Sequence, residues 1–342
     1  MARQISVQVE TPLLEIKNLQ TGFKIGKGYY NAVEKVSFKV DRRKIIGIVG
    51  ESGCGKSVMS LSVMQLLPNE IAKVRGGEIK FEGRNLEKLS EREMNQIRGK
   101  EISMIFQEPM TALNPVFTIG YQLQEVLLNH EKISKKEARL KSIALLRSVG
   151  IPRPKKIVEE YPHQLSGGMR QRVIISMAIA CQPKLLIADE PTTALDVTVQ
   201  AQILDLLKNI QEVNDMSIIM ITHDLGVVAE ICDEVIVMYA GKIIEQTDVT
   251  TLFEDPKHPY TELLMGAIPK MDGKKDTLTT IEGLVPSIQQ MPQVGCRFAN
   301  RCPKAMPECL TTTPQLVENE PGHAVACLFF KNSTQKGRVG DR

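Results

Sequence analysis

The sequence predicts an α/β fold: a mostly parallel core sheet, a helical subdomain inserted between core strands, and a small loop-rich C-terminal domain. Three observations carry this prediction. Short apolar, β-rich runs recur at 13–19, 44–50, 101–107, 184–190, 217–223 and 234–245. Helix-periodic stretches separate them, and wholly apolar strands joined through helices form a parallel sheet covered on both faces. After about residue 250 the chain is broken by Pro256, Pro259, Pro269, Pro286, Pro292, Pro303, Pro307, Pro314 and Pro321, a spacing at which long helices cannot persist.

Taken in order, the run 44–50 ends in a glycine-rich turn and then turns helix-periodic. Residues 108–180 read as the inserted helical subdomain, with stretches such as IGYQLQEVLLNH and KEARLKSIALLRSVG. The runs 184–190 and 217–223 return to the core. These features place a first domain at 1–250 and a separate C-terminal domain at 251–342.

Composition bounds the function. The chain has 342 residues, 42% of them hydrophobic, and 43 basic against 40 acidic side chains leave a net charge of +3. That balance argues against holding nucleic acid by bulk electrostatics. The opening MARQISVQVETPLL lacks an apolar h-region, and no run of about 18 uncharged apolar residues occurs. A cytosolic chain is therefore expected, and in that compartment its seven cysteines are not a structural disulfide set.

The turn GIVGESGCGKSV matches G-x-x-x-x-G-K-[ST] between a strand and a helix, the context in which that pattern cradles phosphate. Gly50, Glu51, Ser52, Gly53, Cys54, Gly55, Lys56, Ser57 and Val58 are the expected nucleotide-contacting residues. Backbone N–H groups and a helix N-terminus would meet the phosphates, Lys56 would neutralise them, and the Ser57 hydroxyl would hold magnesium. In LLIADE a buried strand delivers Asp189 and Glu190 to its carboxyl end. Neighbouring strand residues face opposite ways, so Asp189 is expected to serve the metal and Glu190 the attacking water.

LSGGMRQR (165–172), TTALD (192–196), FQEP (106–109) and ITHD (221–224) stand in order around these two motifs. Together they resemble the signature, D-loop, Q-loop and switch histidine of the ATP-binding cassette (ABC) ATPases. The resemblance covers residues 13 to about 245. It implies that Ser166, Gly167 and Gly168 contact ATP held by a second cassette, that Gln107 senses magnesium and water, that His223 touches the γ-phosphate and positions Glu190, and that Asp196 belongs to the nucleotide site. Met169 departs from the usual glutamine. The resemblance also calls for an aromatic on adenine before the second strand; GYYNAV offers Tyr29 and Tyr30, and Tyr30 is preferred.

FQEPMTALNPVFTIG and DPKHPYTELLMGAIP resemble segments of the D-type ATPase subunits of dipeptide and oligopeptide importers. That implies a homologous second ATPase in a heterodimer, two membrane permeases, a substrate-binding protein, and a peripheral place on the cytoplasmic face of the membrane. Alternatives are the ATPase of a nickel or other solute importer and a soluble non-transport ABC ATPase.

The tail carries Cys296, Cys302, Cys309 and Cys327. Their spacing lacks the tight C-x₂₋₄-C knuckles of most zinc sites and suits the larger core of an iron–sulfur cluster. Zinc, with His323 as a further ligand, and unmetallated thiols remain open readings. The subfamily resemblance implies a [4Fe-4S] cluster. The expected cofactors are thus ATP, magnesium and that cluster, with the cysteine module standing away from the nucleotide motifs.

Overall fold

A computed structural model describes residues 11–107, 112–193, 195–267 and 281–330. The strands are β1 (Leu14–Ile25), β2 (Gly28–Val40), β3 (Ile45–Val49), β4 (Ala72–Phe81), β5 (Arg84–Asn85), β6 (Ile102–Ile105), β7 (Leu185–Asp189), β8 (Ser217–Ile221), β9 (Glu234–Tyr239), β10 (Lys242–Asp248), β11 (Val317–Glu320) and β12 (His323–Val325). The helices are α1 (Lys56–Val63), α2 (Glu91–Ile97), α3 (Ile119–His130), α4 (Lys135–Ser148), α5 (Pro154–Ile157), α6 (Gly167–Ala178), α7 (Val197–Val213), α8 (Leu225–Ile231), α9 (Val249–Glu254), α10 (Pro259–Gly266) and α11 (Glu308–Thr311).

The core is an eight-stranded sheet ordered β11-β12-β10-β9-β3-β8-β7-β6. From β9 through β6 neighbours run parallel. The apolar runs are continuous because both faces are covered. Leu185, Ile187, Ile219 and Ile221 enter one core cluster with α1, while Leu186, Ala188, Ile218 and Met220 enter another beneath the helical subdomain. Burying each of the leucine, isoleucine and methionine side chains contributes about 1.5–3 kcal/mol, and it fixes the strand ends from which the site is built.

Two differences from the sequence reading concern the sheets. The run 13–19 lies outside the parallel core: β1 pairs antiparallel with β2 and β4 in a second, four-stranded sheet. Charged residues interleave β2 and β4, so neither reads as a buried strand. The run 234–245 is two antiparallel strands turning at Ala240 and Gly241, whose φ values of 46° and 83° close the hairpin.

Within 108–180, residues 108–111 lie outside the described residues, and so does Ala194 of the D-loop-like stretch. α3, α4, α5 and α6 lie within that span. Thr118 caps α3, a Ser134–Glu137 capping box starts α4, and Ser166 caps α6. The tail does not stand apart from the core. β12 pairs with β10 and β11 with β12, so the C-terminal segment extends the core sheet across the expected boundary at 250.

This attachment is tied by charge. Glu245 of β10 is fully buried and accepts from the N–H groups of Lys257 (2.7 Å) and His258 (3.0 Å). It also lies 2.7 Å from His323 Nε2 of β12. Burial alone would raise the Glu245 carboxyl, but the hydrogen bonds from His323, Thr261, Lys257 and His258 outweigh it and hold the group below its ordinary range.

Candidate active site

The phosphate-type loop joins β3 to α1. Gly55 sits at φ 102°, and a Cβ there would come within 2.6 Å of the Ala32 carbonyl. At Gly50 a Cβ would meet the Met238 carbonyl at 2.2 Å. Glycine is therefore required at both positions, where β2 and β9 press on the loop. Lys56 is buried, and its Nζ donates to the carbonyls of Gly50 (2.6 Å) and Glu51 (3.2 Å). Cys54 is buried too, and desolvation raises its thiol, with Lys56 pulling the other way, so its place at a helix start does not make it a ready thiolate.

Asp189, ending β7, is 2% exposed, and its Oδ1 has no hydrogen-bond partner. Burial pushes its carboxyl above the ordinary value, against the hydrogen bond from Ser57 and the charge of Lys56. An orphaned carboxylate oxygen beside a hydroxyl, in a pocket that disfavours uncompensated negative charge, fits a hard divalent cation.

Glu190 follows at φ 48°, a left-handed conformation that turns its side chain out of the strand. Its Oε1 lies 3.1 Å from His223 Nδ1, and its Oε2 accepts from the Thr193 hydroxyl at 3.0 Å. Gln107 hydrogen-bonds it as well. Burial raises the Glu190 carboxyl, but the bonds from His223, Thr193 and Gln107 outweigh burial, and the group stays ionised below its usual range. The expected set Asp189, Glu190, Gln107, His223, Ser57 and Lys56 is thus brought together.

Other expected residues lie apart from this set. Ser166 is exposed, accepts from Met169 N–H at 3.3 Å and starts α6 with Gly167 and Gly168. Among the described residues no hydrogen bond joins 166–168 to the loop 50–58. Met169 packs against the helical-subdomain core, an apolar use of that position. Asp196 caps α7 through Val199 N–H. Tyr30 is half-buried on β2, two residues before the Ala32 carbonyl that abuts Gly55. The Tyr29 ring is instead covered by Lys73 Nζ at 4.6 Å and the Arg75 guanidinium at 5.5 Å.

The sequence reading missed the tail's contact with this loop. The Tyr260 hydroxyl accepts from Glu51 N–H at 2.9 Å, and Arg301 grips the Glu51 carboxylate. No spacing signal could reveal a pair 250 residues apart.

In the tail, Cys302, Cys309 and Cys327 all bear on the Cys296 thiol, Cys309 and Cys327 on that of Cys302, and Cys309 on that of Cys327. Burial first, then this mutual repulsion, pushes Cys296 up to about 11 and raises Cys302 and Cys327. Among the described residues, no three ligating side chains are gathered closely enough to hold a metal ion. His323, the further zinc ligand considered, is engaged by Glu245 instead.

Comparison with known proteins follows this division. Residues 33–193 match the ABC transporter family and 244–309 the oligopeptide/dipeptide transporter C-terminal region. The chain is 51% identical over 319 residues to the oligopeptide transport ATP-binding protein AppD of Bacillus subtilis, covering 93% of this chain and 97% of that protein. It is likewise 51% identical to the dipeptide transport ATP-binding protein DppD of the same organism, over 92% of this chain and 94% of the relative. Among solved structures, the ATP-binding cassette MJ0796, in a dimeric post-hydrolysis state with ADP and Pi, superposes with a TM-score of 0.62 at 27% identity, covering 69% of this chain and 98% of that one. The cassette cbiO1 from Clostridium perfringens gives 0.62 at 27% identity, over 72% and 92%.

Proposed function

The chain belongs to the ATP-binding subunits of oligopeptide and dipeptide ABC transporters, and on that premise we propose how its residues divide the work of hydrolysis and coupling. The observation that carries the reading is the strand-end pair. Asp189 faces Ser57 with a free buried oxygen, and Glu190 faces His223 and Gln107. Ser57 and Asp189 would hold magnesium, which supplies charge neutralisation at the phosphates. Lys56 and the loop N–H groups bind and orient the phosphates. Glu190 accepts a hydrogen bond from the attacking water and orients it, and His223 holds that carboxylate in place.

Ser166, Gly167 and Gly168 complete the nucleotide site of a second, homologous ATPase, since they make no bond to their own loop among the described residues. Gln107, next to the helical subdomain, links the catalytic carboxylate to the permeases. The subunit works at the cytoplasmic face of the membrane with two permeases and, through them, a peptide-binding protein. No helix among the described residues is long and apolar enough to cross a membrane. The shared site is tested by sidedness: Ser166→Arg should leave ATP binding by the isolated chain within about threefold while blocking transport, whereas Lys56→Ala should weaken that binding itself. Equal loss in both variants would refute it.

The four tail cysteines are assigned to one [4Fe-4S] cluster, whose binding would have to draw them closer together than they now stand. What supports this is proximity: Cys309, Cys327 and Cys302 all lie near enough to Cys296 to raise its thiol after burial has done so, and a shared cationic core would release such protons. Anaerobically purified chain should carry about four iron and four sulfide, and Cys302→Ser should lose them. Stoichiometric zinc, or colourless protein with four titrating thiols, would overturn this assignment.

A further inference from the structure

Glu51 puts a carboxylate into the loop that receives a polyanion, an arrangement that opposes nucleotide binding unless the charge is compensated. The compensation comes from the tail. Arg301 Nη1 donates to Glu51 Oε2 at 2.9 Å and Nη2 donates to Oε1 at 3.2 Å, a two-pronged pair with the arginine side chain only 8% exposed. The rest of the fork is engaged as well: Nε donates to the Glu282 carbonyl (2.8 Å), Nη2 to those of Ile281 (3.3 Å) and Gly283 (3.2 Å), and Nη1 to the Tyr239 hydroxyl (3.2 Å). A guanidinium held by that many partners has little freedom to follow Glu51 if the loop moves.

The Glu51 backbone is held by the same part of the chain. Tyr260, fully buried in α10, receives its N–H, and the Tyr260 ring packs on Tyr239 (4.9 Å between centroids) and Phe298 (5.4 Å). Phe298 lies between Cys296 and Cys302, and Arg301 adjoins Cys302. Arg297 of the same stretch donates to the carbonyl of Ala240, beside the Gly241 that packs on Ala32 near Gly55.

We propose that Arg301 is a positioning residue for ATP binding: by pairing with Glu51 it neutralises and fixes the first turn of the phosphate loop, so that the C-terminal module sets the nucleotide affinity of the cassette. The proposal rests on ATP occupying the loop 50–58. It differs from a purely architectural role in one respect: the effect of Arg301 on ATP must run through the Glu51 charge.

The test is ATP affinity of the full-length chain, measured by calorimetric titration with magnesium for wild type, Arg301→Ala, Glu51→Gln and the double variant. Arg301→Ala should weaken binding about tenfold, or ~1.4 kcal/mol. Removing the carboxylate as well should recover at least about fivefold, so that the double variant binds more tightly than the product of the two single effects requires. Strictly multiplicative effects, or wild-type affinity in Arg301→Ala, would overturn the proposal. Should Arg301→Ala not fold, as judged by its melting transition, Arg301→Gln with and without Glu51→Gln closes the same cycle, because glutamine keeps hydrogen-bond donors and loses the charge. A wild-type chain that binds no ATP would sink the nucleotide reading and this proposal with it, whereas multiplicative effects in a chain that binds ATP would sink the proposal alone.

Discussion

Replacing Glu190 by glutamine changes one oxygen to an amide group and leaves shape and backbone intact, which matters at a residue held at φ 48°. The carboxylate has bonds to His223 at 3.1 Å and Thr193 at 3.0 Å, and a further one to Gln107. The amide keeps one acceptor, and the Thr193 hydroxyl can rotate to accept where it now donates, so most of the network survives. None of these partners is Lys56, Ser57 or a loop N–H, so ATP affinity should stay within about threefold. What is lost is the anionic acceptor for the water's proton, worth about 10²–10⁴ in rate, or ~2.7–5.5 kcal/mol of barrier. The assay is phosphate release by the complete transporter, paired with ATP binding to the isolated chain. Turnover above about a tenth of wild type, with binding intact, would refute the assignment of Glu190 to the water.

Two other outcomes follow from burial. Asp189→Asn removes a buried, partly uncompensated charge, so the melting temperature should hold or rise while the magnesium requirement for tight ATP binding shifts upward at least about tenfold; an unchanged magnesium titration would rule out Asp189 as a ligand. His258 is fully buried and depressed from 6.5 to about 4 by desolvation, with Glu245 pulling back. It is neutral in the fold, and the unfolded chain takes up the proton first as pH falls through 6.5. Its contribution is therefore present above that value and is lost on acidification toward 4, by roughly 3 kcal/mol in all. Denaturant unfolding between pH 7.5 and 4.5 should show this loss, and His258→Asn, which keeps an acceptor for the Tyr260 N–H, should flatten it; equal slopes in both proteins would refute the assignment.

The phosphate loop and the Asp189–Glu190 pair were legible because each rests on local chemistry: a strand, a fixed glycine spacing, and a helix or acid pair at a strand end. The helical subdomain was legible from periodicity, and its caps at Thr118, Ser134 and Ser166 follow from residue type. The antiparallel sheet was not, because KVRGGEIKF in β4 alternates charge with apolar residues, and its pairing with β1 contains register shifts. Nor was the hold of the tail on the core. The buried Glu245 that receives His323, and Arg301 on Glu51, are polar residues in proline-broken or glycine-rich surroundings whose partners lie 78 and 250 positions away. A charged residue in a loop reads as solvated until its partner is placed beside it.

This subunit couples ATP hydrolysis to peptide import. The most direct measurement is phosphate release in proteoliposomes containing this chain, the permeases and the second ATPase proposed above, with the proposed binding protein loaded or unloaded with peptide. Release should rise several-fold with the loaded binding protein and fall to background with Glu190→Gln in both ATPases at the matching position. A rate that ignores peptide, or that survives the substitution, would contradict it.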